Sequence, residues 1–394
     1  MPDQKSASRI AEIDILRGLV IVLMALDHVR DYFFMGAFAI DPLNPEQTTP
    51  LLYVTRWVTH LCAPTFVFLA GVSAYLQRVN GKTAEGLSLF LLTRGLWLIV
   101  LELTIISIGW SFWFPPLPFM QVIWAIGWGM IALAGLIWLP APVVLGIGLA
   151  IVAGHNLLDS ITPDQLGAAA PLWTIVHEGG PLFFNGAPVA FAAYPILPWI
   201  GIIAAGYGMG GLFLRAPQSR ERTILVLGAV MLAIFAGLRL LNQYGDPSPW
   251  RAQDTWGYNV MVFLDVTKYP PSLQFTLVTL GVVFALWPLL TRLRGPIASV
   301  LTTFGAVPFF FYVLHIYVVH ALAMAANAAT GRDPSAMLNF MINSFTGAQG
   351  VQELGFPLPY VYVAWASVLA LLYPLCRYWQ RLKARRRDWW LSYL

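Results

Sequence analysis

The sequence has little charge and almost no cysteine. Charged residues make up 11% of its 394 residues, against about 25% in soluble domains, which excludes an ordinary soluble globular protein. Its two cysteines, Cys62 and Cys376, fall near opposite membrane faces in the predicted topology, so we expect no disulfide. The sequence has no HExxH motif and no CxxC pair, so we predict no metal. It also has no P-loop and no Ser nucleophile elbow.

Apolar sequence is abundant instead. Hydrophobic residues account for 58% of the chain, and ten segments are long enough to cross a bilayer. They predict an all-α integral membrane protein that forms a single domain over residues 1–394. The first apolar run lacks an Ala-x-Ala cleavage site, so we expect a membrane span there rather than a signal peptide. The predicted spans are 13–35, 57–77, 95–113, 120–139, 142–158, 190–214, 223–241, 272–291, 304–326 and 357–379.

The basic residues predict the orientation of these spans. With both termini in the cytoplasm, six of the 23 Lys and Arg residues lie outside and the other seventeen inside, as the positive-inside rule requires. We expect a multi-pass protein of the plasma (inner) membrane, with a short N-terminus (1–12) and a basic tail (380–394) that anchors the topology. The long connectors then lie outside, where we expect an acceptor substrate to bind. They are about 36–56, 159–189, 242–271 and 327–356.

The first predicted span carries Asp14, Arg17, Asp27 and His28 inside an apolar helix, where ionisable residues are functional by default. At ~100° and ~1.5 Å per residue, Arg17 and His28 lie on one stripe about 16 Å apart. This pattern predicts a cavity with a cation near one membrane face and a proton-accepting imidazole toward the other. Asp27 either orients that imidazole or faces another span. The alternative is structural, with Arg17 reaching the interface and His28 bonded within the bundle.

Two further histidines are candidates for the same cavity. His60 lies near the outer end of the second span, at the predicted depth of His28, and is expected to share the catalytic site. His315 falls near the bilayer middle in the ninth span and is expected to line the cavity. His320 is ~140° further around that helix, so it does not face one small site together with His315.

Polar residues elsewhere are candidates for binding the acceptor. Gln121 begins the fourth span and Lys268 lies in the connector segment KYPPSLQF. Glu102 is an isolated carboxylate in the third span and needs a partner or a proton. It either pairs with an Arg or a His or belongs to a proton relay at the acceptor site. The glycine cluster GYGMGGLF indicates close helix packing rather than a nucleotide loop, because no strand precedes it.

Five stretches of the sequence, taken in order, carry a family resemblance. They are IDILRGLVIVLMALDHVRDYF, THLCAPTFVFLAGVSAYL, YPILPWIGIIAAGYGMG, KYPPSLQF and VPFFFYVLHIYVVH. In the same order they resemble bacterial membrane proteins related to heparan-alpha-glucosaminide N-acetyltransferase, and the resemblance extends over about residues 9–378. The Arg-x10-His pattern of Arg17 and His28 is also shared with the wider superfamily of membrane acyltransferases, which O-acetylates surface sugars.

The resemblance implies an enzyme that moves an acetyl or short acyl group from cytosolic acyl-CoA to an extracytoplasmic sugar or amino sugar. It implies that Arg17 contacts the donor and that His28 belongs to the catalytic centre. Asp14, Arg94 and His315 are assigned to the donor side with Arg17. The lysosomal enzyme of this family has an amide residue where His28 stands and an acidic residue where His60 stands, so either histidine can take the catalytic role.

The expected partners are acyl-CoA, a glycan acceptor and the lipid bilayer, with no nucleic acid. A homodimer is left open. The alternative function is a proton-coupled secondary transporter, in which the Asp, His and Glu residues relay protons. An inverted internal repeat would favour a transporter, and the sequence has no convincing one.

Overall fold

The computed structural model describes residues 10–37, 39–339, 342–343, 354–386, 388 and 391. Over these residues the chain is mainly helical, and eight helical segments are long and apolar enough to cross a membrane. This confirms an all-α membrane fold. The eight are Pro50–Val79, Ala84–Ser111, Ala141–Leu158, Ile196–Leu214, Pro217–Leu241, Leu273–Arg292, Pro308–Ala329 and Leu358–Arg385.

Two further helices coincide with the remaining predicted spans. Ala11–Phe33 has 23 residues and is long enough to cross a membrane. It carries too many charged residues to be identified as a span by its composition. Val122–Leu136 is apolar throughout but has only 15 residues. Each of the ten predicted spans therefore overlaps a helix.

The helices are numbered in chain order. They are α1 Ala11–Phe33, α2 Pro50–Thr59, α3 Cys62–Val79, α4 Ala84–Leu101, α5 Ser107–Ser111, α6 Val122–Leu136, α7 Ala141–Gly154, α8 Ala170–Trp173, α9 Ile196–Gly208, α10 Pro217–Leu241, α11 Trp256–Leu264, α12 Leu273–Ala285, α13 Trp287–Arg292, α14 Gly295–Ala306, α15 Pro308–Ala329 and α16 Leu358–Arg385. Single π-helical turns lie at Glu102–Ile106 and Thr174–Glu178. Short 3₁₀ turns lie at His155–Leu158, Pro163–Gln165, Gly167–Ala169, Gly210–Leu214 and Pro334–Met337.

Several predicted boundaries differ from the observed ones because an apolar run conceals a helix break. The second predicted span is two helices, α2 and α3, which are separated at His60 and Leu61. The ninth begins at Pro308 rather than at 304, because α14 ends at Ala306 and the proline cannot continue it. The basic tail continues α16 as far as Arg385, and most of its remaining residues lie outside the described ones.

A small sheet, which the sequence did not predict, orders one long connector. Its strands are β1 (Phe119–Met120), β2 (Gly180–Phe184) and β3 (Ala187–Ala192), in the order β1-β3-β2. β3 runs antiparallel to β2 and parallel to β1, so it ties the connector to the segment that precedes α6. Asn185 and Gly186 both have positive φ in the hairpin turn, which is the usual chemistry of a type I′ turn.

Glycines let several helices approach to backbone contact. A Cβ atom on Gly206 would meet the carbonyl of Phe68 in α3, and one on Gly208 would meet Leu145 in α7. The glycine cluster of α9 therefore serves helix packing, as predicted. A glycine also lets α1 and α14 pack closely, because a Cβ atom on Gly305 would meet the backbone of Asp14.

Replacing Gly305 with Ala is expected to destabilise the protein by about 1–3 kcal/mol or more, because the new methyl group meets backbone that cannot rotate away. Gly237 in α10 is the matched control, since a Cβ there meets nothing within 4 Å. Gly237→Ala is expected to stabilise its helix by about 0.5–1 kcal/mol. Thermal unfolding of both variants in detergent measures the difference. Equal unfolding temperatures would contradict the close packing of α1 on α14.

Candidate active site

Two cavities border the middle of α1. We call the face of the bundle at the Phe33 end of α1 the connector side, and the face at the Ala11 end the basic side. The connector cavity, of about 710 Å³, is lined by His28 and Gln121 among others. The basic cavity, of about 330 Å³, is lined by Arg17 and Met24 among others. Met24 and His28 are four residues apart, so about one turn of α1 separates the cavities.

A pair of histidines lies where the two cavities approach each other. His28 Nδ1 is 2.6 Å from His315 Nε2, and His315 Nδ1 is 2.5 Å from the carbonyl oxygen of Tyr312. A carbonyl only accepts, so His315 carries its proton on Nδ1 and its Nε2 accepts from Nδ1–H of His28. In the neutral pair, His28 therefore keeps the lone pair of Nε2. His28 lines the connector cavity, so this lone pair can accept a proton from a group bound there.

Aromatic residues fix the imidazole of His28 in place. The indole of Trp110 meets it edge-on, with ring centroids 5.0 Å apart. Tyr32 stacks on Trp110 and donates its hydroxyl to the Trp110 carbonyl at 2.6 Å. On the other side the ring of Tyr312 lies 6.3 Å away and also lines the basic cavity. The imidazole is thus held between α5 and α15.

Asp27 belongs to a cluster of ion pairs. Its two carboxylate oxygens lie 2.8 and 2.9 Å from Nη1 of Arg56. Arg30 approaches within 3.2 Å and the ammonium of Lys268 within 3.9 Å. The described contacts contain no hydrogen bond from His28 to the carboxylate of Asp27. The residue that orients His28 is therefore His315, and Asp27 instead holds three cations, of which Arg30 and Arg56 line the connector cavity.

Cationic side chains line the basic cavity. Arg17 donates to Ser73 and lies 3.3 Å from Oδ1 of Asp14. Arg94 and Lys383 line the same cavity. Three cations thus line one space, an arrangement suited to an anionic ligand.

Three placements differ from those expected. His60 is not among the residues that line either cavity; it is buried edge-on against Phe275, with ring centroids 5.4 Å apart. His315 lies fully buried behind His28 rather than on a cavity wall. Glu102 accepts from the backbone N–H of Trp124 at 3.0 Å. Its partner is therefore the amino-terminal end of α6, where a carboxylate is favourable, and neither an Arg nor a His.

Sequence reasoning missed a second group on the wall of the connector cavity. His155, Asp159 and His177 place one ligand atom each within 4.8 Å of one another. Burial raises the pKa of the Asp159 carboxyl, against the opposing effects of the Asn156 hydrogen bond and of His177. The chain spacing of these residues matches no known motif, so only the fold reveals the group.

The fold and the site define a polytopic membrane protein with a hydrogen-bonded histidine pair between two cavities. Residues 9–244 match the family model described as heparan-alpha-glucosaminide N-acetyltransferase, catalytic. The match covers more than half of the chain, so the chain belongs to this family and is a membrane transferase of the acetyltransferase type, associated with glycan modification. A search of curated proteins gave no match.

The family match does not include the whole site. It contains Arg17, His28 and Gln121, which line the two cavities, but ends before Lys268 and His315. The helix that supplies the partner of His28 therefore lies beyond the matched region.

Proposed function

We propose that the protein transfers an acetyl or similar short acyl group from cytosolic acetyl-CoA to an extracytoplasmic sugar or amino sugar. It does so as one domain in the plasma membrane, with both termini in the cytoplasm. The observation that carries this proposal is the hydrogen-bonded pair of His28 and His315 between a cation-lined cavity and a second, larger cavity.

The basic cavity is the proposed donor site. Coenzyme A is polyanionic, and Arg17, Arg94 and Lys383 line this cavity. The rise along α1 from Arg17 to His28 is about 16 Å, comparable with the extended pantetheine arm. A donor with its phosphates near Arg17 would thus bring its thioester to the neighbourhood of His28.

His28 is the proposed general base. As an acceptor hydroxyl or amine attacks the thioester carbonyl, Nε2 of His28 takes its proton, and the new C–O or C–N bond replaces the C–S bond. The imidazolium then returns the proton to the departing thiolate of coenzyme A. The hydrogen bond to His315 fixes the tautomer that makes Nε2 the basic atom. In a second scheme Nε2 attacks the thioester first and forms an acyl-imidazole, which the acceptor then cleaves.

The connector cavity is the proposed acceptor site. Gln121 lines it as a neutral hydrogen-bonding group, and the Asp27 cluster brings Arg56 and Lys268 to the same region. Asp159 and Glu178 add carboxylates to its wall. A polar acceptor with several hydroxyl or amino groups suits such a lining, which supports a sugar.

Replacing Arg17 with Ala is expected to weaken binding of acetyl-CoA by about 10–100-fold, because one charged hydrogen bond contributes about 1.5–3 kcal/mol. Turnover at saturating donor should change less. Calorimetry on the purified protein in detergent measures the affinity, and initial rates measure turnover. Arg251→Ala, which changes an exposed arginine in a connector, is the control. An unchanged dissociation constant removes Arg17 from the donor site, and no binding to a well-folded wild type overturns the proposed function.

A further inference from the structure

A cluster of metal-ligand side chains lies on the wall of the connector cavity, separate from the His28–His315 pair. His155 follows directly after α7 and begins the 3₁₀ turn His155–Leu158, and Asp159 follows that turn. His177 belongs to the π-helical turn Thr174–Glu178 in the following connector. Within the described part of the chain, these three form the one such group whose ligand atoms lie within 4.8 Å of one another.

Two members of the cluster hold buried polar atoms that lack hydrogen bonds. His155 is 3% exposed, and neither of its ring nitrogens makes a hydrogen bond of normal geometry, although the Pro271 carbonyl lies beside the ring. In Asp159, Oδ2 accepts from Asn156 Nδ2 at 2.8 Å, whereas Oδ1 is buried without a hydrogen bond. Buried polar atoms are rarely left without partners. A cation bound among them would take one ring nitrogen of His155 together with Oδ1 of Asp159.

His177 is held in position by its surroundings. Its Nε2 lies 2.9 Å from the backbone carbonyl of His155 and 3.5 Å from Oδ1 of Asp159. The indole of Trp173 stacks on the ring, with centroids 5.0 Å apart and an angle of 16°. Ligand histidines are typically fixed in this way, by a carbonyl or carboxylate on one ring nitrogen.

We propose that His155, Asp159 and His177 bind one divalent transition-metal ion, and that Zn²⁺ is the ion they suit best. Two imidazoles and one carboxylate form a zinc ligand set with a fourth position left open. Imidazole nitrogens favour such ions over Mg²⁺ and Ca²⁺, which prefer oxygen ligands. Asp159 and His177 line the connector cavity, so the open position can take a water molecule or an oxygen of a ligand in that cavity.

A bound metal would tie the end of α7 to the connector, because it joins residues 155 and 177. It would also contradict the prediction from sequence motifs that the protein has no metal. The proposal does not depend on the acetyl-transfer reaction, because metal binding is measured directly and in the absence of acetyl-CoA.

The test is metal binding to the full chain in detergent, purified through a tag without histidine and freed of metal by chelation. Titration with Zn²⁺ alone is expected to give one ion per chain. His155→Ala and Asp159→Asn should each weaken binding by at least about 10-fold. Titration with Co²⁺ reports the ligand set through its visible absorption, which should change in both variants. Asp159→Asn replaces only one carboxylate oxygen with an amide nitrogen, so it keeps the test informative where His155→Ala fails to fold.

Glu178→Gln is the matched control, since Glu178 neighbours His177 and lines the same cavity but lies outside the cluster. Its zinc affinity should equal that of the wild type. The proposal is overturned by a folded wild type that binds no Zn²⁺. It is equally overturned by Asp159→Asn and His155→Ala proteins that bind the ion as tightly as the wild type, because the ion would then bind at other residues.

Discussion

Replacing His28 with Ala is expected to lower the rate of acetyl transfer from acetyl-CoA by about 10²–10⁴-fold, the contribution of a positioned general base. Nε2 of His28 keeps its lone pair because Nδ1 is engaged with His315. The folded state should persist, because the side chain contributes one hydrogen bond, worth about 0.5–1.5 kcal/mol. Single-turnover transfer to an amino sugar measures the effect, with thermal unfolding as the check on folding.

Variants of two other histidines sharpen this test. His315→Gln retains an acceptor for Nδ1–H of His28, whereas His315→Ala does not, so Gln should restore part of the turnover that Ala loses. His60→Ala should leave turnover nearly unchanged, since His60 lies against Phe275 rather than on a cavity wall. If His60→Ala abolishes transfer and His28→Ala does not, the catalytic histidine is His60.

Replacing Asp27 with Asn is expected to destabilise the protein by about 3–5 kcal/mol, because it leaves buried cations without their counter-ion. Its side chain is only 12% exposed, and Arg56 and Arg30 both lie within 3.2 Å of its carboxylate. The expected result is a lower unfolding temperature and a smaller yield of folded protein. His28→Ala should lower the unfolding temperature much less, which separates the roles of these neighbouring residues.

The double variant Asp27→Asn, Arg56→Gln is the control for Asp27. Removing both charges should recover part of the stability lost in the single variant, because the remaining imbalance is smaller. A stable Asp27→Asn protein with full-strength acetyl-CoA binding but no transfer would argue instead that Asp27 acts directly in catalysis.

The periodicity of α1 predicted one cavity between Arg17 and His28. The structure divides that space in two, because Arg17 and Met24 line one cavity and His28 lines the other. The order of these residues along the helix is as predicted. Such a prediction succeeds because a regular helix converts spacing in the chain into position along an axis. The acidic residue Asp14 pairs with Arg17 within the same turn, which is also a local relation.

The rest of the site depends on contacts between distant parts of the chain. His28 and His315 are 287 residues apart, and no pattern within α15 shows that His315 faces α1 rather than a cavity. Glu102 accepts a hydrogen bond from the backbone at the start of α6, a helix that begins twenty residues later in the chain. The sequence analysis considered only charged side chains as partners and therefore did not predict this contact. His177 meets His155 only because the connector folds back over α7.

The hydrogen-bonded histidine pair also determines where protons can travel. A proton that His28 takes from the connector cavity can shift to His315, but it stops there, because the Tyr312 carbonyl accepts a hydrogen bond without passing a proton on. The pair is thus a closed branch, and a proton on it can leave only through His28. In the proposed reaction it leaves to the departing thiolate of coenzyme A, so each transferred acyl group is accompanied by one proton that moves from the acceptor to the donor side, and none passes beyond His315 into the bundle.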